Sequence, residues 1–129
     1  MFNTLVHGYN LVRHDLRDVS TGGERSGHWP TVEKHFKESH PVCAVCGGTD
    51  RLQVHHQKPF HLDPALELDV NNLITLCMGE KECHLQIGHG DDFKAYNPEV
   101  ATDAETLRHH PSQFTALAAH AKANRKYQV

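Results

Sequence analysis

The chain has 129 residues, 38% of them hydrophobic and 22% charged, with a formal net charge of −3 at pH 7. That is room for one domain with a modest core and too little for two, and the charge excludes a surface built throughout to hold nucleic acid. The anomaly is 13 histidines, as many as the lysines and arginines together, and histidine is the commonest metal ligand.

In chain order, MFNTLVHGYNLVRHDLRD mixes apolar and charged residues without a firm period. It lacks the basic start and unbroken apolar run of a secretory signal. STGGERSG, at 20–27, reads as a linker by its glycines and serines. Residues 1–28 are therefore expected to be an N-terminal extension. WPTVEKHFKESHP predicts a short helix: Pro30 suits a first turn, Val32 and Phe36 lie one turn apart, and Pro41 ends it. A central domain is expected over 29–97, and within it Cys43 to about His89 holds nearly all the chemistry. NPEVATDAETLRHHP reads as a helix-prone or irregular connector, and PSQFTALAAHAKANRKY as a closing helix with Phe114, Leu117 and Ala121 on one face. Lys122, Arg125 and Lys126 give that helix a basic end that suits its dipole. Residues 98–129 are thus expected to be a C-terminal helical segment.

No stretch approaches the roughly 20 apolar residues of a membrane span. The expectation is a cytoplasmic protein with no membrane partner. In a reducing compartment its four cysteines serve as ligands or buried thiols rather than disulfides. CAVCGG places Cys43 and Cys46 in a C-x2-C with glycines behind it, a knuckle that turns two thiolates onto one ion. LCMGEKECH supplies Cys77 and Cys83 at the wider spacing C-x5-C. Two pairs around one histidine-rich hairpin predict a structural Zn2+ on Cys43, Cys46, Cys77 and Cys83. A redox role for CAVC is the weaker reading, because redox C-x-x-C motifs usually sit in a βαβ pattern that this sequence lacks.

Between the pairs, Leu52 to His56 alternates as a strand would, and NLITL has the β-branched content of a second. A helix is expected to begin near Cys83 and His84. In LQVHHQKPF, His55 and His56 are consecutive on a strand, so their side chains point to opposite faces and cannot share one job.

This ordered series resembles the HNH endonucleases of the ββα-metal (His-Me finger) group that carry paired zinc knuckles. The matching elements are the C-x2-C, VHH before a proline, LDVNNLITLC, and CH at Cys83 and His84. CHLQIGHG and DFKAYNP are further similar to small phage and prophage members. The resemblance implies an α+β fold: a small ββα-metal core with zinc knuckles, flanked by N- and C-terminal helices. It implies hydrolysis of DNA phosphodiester bonds, with His56 as general base on water and Asn72 fixing the loop that orients it; Asn71 is expected to be only a turn residue.

His55 and His84 would hold one catalytic divalent ion. Members of the group often have an aspartate where His55 stands; a neutral imidazole there moves the preference from Mg2+ towards Mn2+, Ni2+ or Zn2+. His89 is five residues past His84, about 140° round an ideal α-helix. Gly88 just before it could distort the helix and swing it back, so His89 is expected either as a third ligand or as a phosphate contact or helix-end cap. Arg51 and Lys58, with Lys34 and Lys37 near them, would form a local basic rim for DNA despite the negative total. The rival reading is a zinc-stabilised nucleic-acid- or protein-binding module without catalysis, which would need the cysteines but not His55, His56, Asn72 and His84 together. The resemblance places the protein in a bacterial or phage-infected cell. It leaves open a homodimer or a phage or host protein partner.

Overall fold

A computed structural model of the chain describes residues 25–128. The expected extension at 1–28 lies almost wholly outside the described residues. In chain order come α1 (Trp29–Ser39), β1 (Leu52–His56), β2 (Leu73–Cys77), a π-helical turn (His84–Gly88), β3 (Ala95–Tyr96), α2 (Val100–His109), α3 (Phe114–Asn124) and β4 (Lys126–Tyr127). The architecture is α+β: a small antiparallel pair with a helical turn beneath it, flanked by helices on both sides.

β1 and β2 pair antiparallel with Leu52 opposite Cys77 and His56 opposite Leu73. Because successive side chains alternate, this pair has two faces with different duties. Val54 and Leu73 join Val32, Phe36 and Leu68 in one apolar cluster under α1, where Val32 and Phe36 make the buried stripe that the sequence predicts. His40 closes α1 by donating its backbone N–H to the Phe36 carbonyl, and Pro41 follows. The other cluster gathers Cys43, Val45, Leu76, Cys77, Cys83 and Ile87 with Val100, Ala104 and Leu107 of α2.

The segment read as a connector is therefore a helix with one buried face, and the C-terminal residues share a core with the cysteines. α3 ends at Asn124, and Arg125 is already extended. The basic residues expected at the helix end are dispersed: Lys122 lies 3.8 Å from Asp91, Arg125 donates to the Gly90 carbonyl at 2.8 Å, and Lys126 begins β4, which pairs with β3. No helix among the described residues is long and apolar enough to cross a membrane.

The helix expected at Cys83 and His84 is the main departure. Instead of α-winding, residues 84–88 make a single π turn. Gly88 permits it, because a Cβ there would stand 3.0 Å from Leu76 and 3.3 Å from the rings of His55 and His84.

Candidate active site

The four cysteine sulfurs lie within 4.8 Å of one another. Cys43 and Cys46 come together because Gly47 takes a left-handed φ of 75° and donates its N–H to the Cys43 carbonyl at 2.9 Å. The N–H groups of Val45 and Gly48 point at the sulfurs of Cys43 and Cys46, each at 3.4 Å, as donors to thiolates do. The wide second loop closes through a turn in which Glu82, at φ 49°, donates its N–H to the Gly79 carbonyl. Cys46 and Cys77 sulfurs are 3.6 Å apart, close to the ~3.8 Å that tetrahedral bonds of 2.3 Å to zinc require.

Four thiolates so close repel one another. The hydrogen bond with Cys83 draws Cys43 down to about 4, while that same bond and burial push Cys83 up. A divalent cation among the sulfurs removes the conflict, and the donor set fits zinc.

The second cluster is His55, His84 and His89, whose ligand nitrogens also lie within 4.8 Å of one another. His84 Nε2 stands 3.1 Å from His55 Nδ1 and 3.1 Å from His89 Nε2. The five-residue spacing that separates His84 from His89 on an α-helix suits a helix whose hydrogen bonds run i to i+5. The sequence-based angle of 140° thus fails because the turn is π-wound.

The outer nitrogens of two rings are tied down. His89 Nδ1–H donates to the Ala95 carbonyl at 2.7 Å, and His84 Nδ1–H donates to Gln53 Oε1 at 2.6 Å. Both Nε2 atoms must then present lone pairs, facing each other at hydrogen-bond distance. Two lone pairs need a proton or another cation between them. Burial disfavours the proton: it pushes His84 down to about 4, with help from His89, and lowers His89 too. His55, buried and beside His84 and His89, lies well below the ordinary value. Its Nε2 is buried without a hydrogen bond among the described residues. The donor set fits a borderline divalent ion, and the carbonyl and amide behind the rings are the partners metal-bound imidazoles usually have.

His56 points the other way, as strand alternation demands. Its ring packs on Trp29 of α1 with centroids 4.5 Å apart, and Nε2–H donates to the Glu67 carbonyl at 2.8 Å. That bond leaves Nδ1 as the acceptor. Burial, opposed by the Glu67 bond and aided by the Arg25 charge, holds its pKa down to about 4, so the ring is neutral. Arg25 bridges this corner: its guanidinium is 3.5 Å from the Glu67 carboxylate and lies over the rings of Trp29 and Phe60.

These shifts carry a prediction about stability. The histidines keep folded pKa values below the 6.5 of the unfolded chain, so across a window from about 6.5 down to about 4 the unfolded chain binds more protons. Their contribution is fully present above that window and is lost as pH falls through it. His56→Gln should remove about one proton from the slope, ~1.4 kcal/mol per pH unit. Urea unfolding at several pH values, compared with wild type, reads it; equal slopes would mean that His56 is not held neutral.

Among the described residues, the hydrogen bonds of the Asn72 side chain go to the backbone and not to His56. The Asn72 amide accepts the Lys58 N–H at 2.9 Å and donates to the carbonyls of Lys58 at 3.0 Å and Leu66 at 3.3 Å, pinning both ends of the loop that carries Glu67. Asn71 donates its N–H to Asp69 at 2.9 Å and accepts from the Gln57 amide at 3.4 Å. Lys58 lies two residues past His56, its ammonium 3.8 Å from Asp63. Arg51 sits in the turn before β1 at a left-handed φ of 50°, its guanidinium 3.5 Å from exposed Asp50.

Sequence reasoning missed Gln53, Trp29, Arg25 and Glu67. Gln53 was findable, since two residues before His55 is the same strand face. The carbonyls of Glu67 and Ala95 carry no side-chain signal at all.

The HNH endonuclease family model matches residues 43–90, from the first knuckle cysteine through His89. Residues 43–90 are therefore similar to an HNH endonuclease domain, a ββα-metal unit, and they hold the four-cysteine cluster. Metal-dependent nuclease activity on DNA is what this family implies. No curated protein and no solved structure gives a significant match to the chain.

Proposed function

We propose that the protein hydrolyses DNA phosphodiester bonds, with His56 as general base and one divalent ion held by His55, His84 and His89. One observation carries this reading: three imidazole nitrogens converge within 4.8 Å, one strand residue from a fourth imidazole that is tied back through Nε2. A binding module needs zinc-bound cysteines but no such quartet.

The carbonyl of Glu67 fixes the His56 tautomer, so Nδ1 can take the proton of a water attacking phosphorus in line. Trp29 packs on the ring at a tilt of 36°, and Asn72 ties down the loop behind it. An ion at the three histidines would neutralise phosphate charge and stabilise the leaving oxygen. Lys58, two residues past His56, and Arg51, in the turn before β1, would meet neighbouring phosphates. With few basic groups near the site, DNA binding should be weak and salt-sensitive. Action in the cytoplasm agrees with thiols kept reduced as ligands.

A plasmid-nicking assay with Mg2+, Mn2+, Ni2+ and Zn2+ in turn tests the proposal. Nicked circles should form with at least one ion and disappear with a chelator that spares the cysteine zinc. Intact plasmid under every ion, from zinc-loaded protein that still binds DNA, would leave the non-catalytic binding module. Because three neutral donors disfavour a hard ion, His55→Asp should keep activity and shift its preference towards Mg2+. Unchanged ion preference would argue against His55 as a ligand.

A further inference from the structure

DFKAYNP, at 92–98, gives the site described above only the Ala95 carbonyl behind His89. Within it Asn97 is fully buried, and its polar groups are used in a definite way. The side-chain amide donates to the Ile87 carbonyl at 3.0 Å and to the Asp103 carboxylate at 2.8 Å. Its oxygen accepts the Glu99 N–H at 2.9 Å, and its backbone N–H donates to the Gly88 carbonyl at 2.9 Å. Two acceptors on the nitrogen and a donor on the oxygen fix which way the amide faces.

In an α-helix running on from His84, the carbonyls of Ile87 and Gly88 would be taken by N–H groups four residues later, at 91 and 92. Those N–H groups go elsewhere: Asp91 donates to the Leu85 carbonyl at 2.9 Å, and Asp92 to the His89 carbonyl at 3.3 Å. The two carbonyls released by the wide turn are instead satisfied by one residue, Asn97. Buried carbonyls left unpaired are costly, so their partner decides which winding survives. Asp103, in the first turn of α2, holds the amide in place.

We propose that Asn97, oriented by Asp103, is a positioning residue for the metal centre: it holds the π turn that sets His89 beside His84. Without it the segment relaxes towards α-winding, in which His89 falls about 140° away. This inference rests on the three histidines being an ion site, and its test reads ion binding rather than cleavage.

The test is a double-mutant cycle on the full zinc-loaded chain, with Ni2+ affinity measured by calorimetry. Asn97→Ala should weaken Ni2+ binding about 10–100-fold, as loss of a group behind a ligand does. His89→Ala should do about the same, and the double variant should be little worse than either. The cysteine zinc should stay at about one per chain throughout. Asp103→Asn, which keeps an oxygen facing Asn97, should remain within a few-fold of wild type. Additive losses in the double variant would overturn the inference, since Asn97 would then act without His89. So would wild-type affinity in Asn97→Ala. If that variant does not fold, Asn97→Ser carries the same cycle with the same two outcomes. Absence of Ni2+ binding by the wild-type chain would overturn the ion site and this inference together, whereas an inactive chain that completes the cycle would refute only the nuclease.

Discussion

His56→Ala should lower the rate of DNA cleavage by roughly 10²–10⁴-fold, the range general bases supply. The residue lies on the face of β1 away from the three-histidine cluster, so ion binding at His55, His84 and His89 should be preserved. Its loss removes one ring contact with Trp29 and one bond to a carbonyl, and the two apolar clusters do not depend on it. Single-turnover cleavage under the best ion, with ion content checked in parallel, measures the effect. Cleavage at the wild-type rate would mean that another group takes the proton.

The other large effect is expected at the cysteines. Cys43→Ser should abolish zinc retention and, with it, cooperative unfolding. Zinc on four thiolates contributes about 10–16 kcal/mol in small isolated modules, comparable with the whole stability of a domain this size. The dependence should be strong here because Cys43, Cys77 and Cys83 are themselves members of the core under α2. Elemental analysis of wild-type protein, after a weak chelator, should find about one zinc per chain. A fully folded wild-type chain without zinc would refute the assignment.

What could be seen in the sequence was local. The C-x2-C, the paired histidines and the two strands are short patterns whose meaning does not depend on distant residues, and the structure brings their ligands together. Val32 and Phe36 likewise announced the buried stripe of α1. The π turn was hidden, because its winding is decided by Asn97, about ten residues further on, through hydrogen bonds that no periodicity encodes. The seat of His56 was hidden for a similar reason: its partner is a backbone carbonyl, and any residue type at position 67 has one.

Cys83 and His84 are consecutive, so one peptide unit joins a sulfur of the first cluster to a ring of the second. That adjacency imposes an order in time. A newly made chain has no reason to hold His84 against His55 and His89 until Cys83 has been drawn in by its own ion. If the protein cuts DNA as proposed, nascent or zinc-starved copies would be inert, and the cell would meet a working blade only after the handle had set.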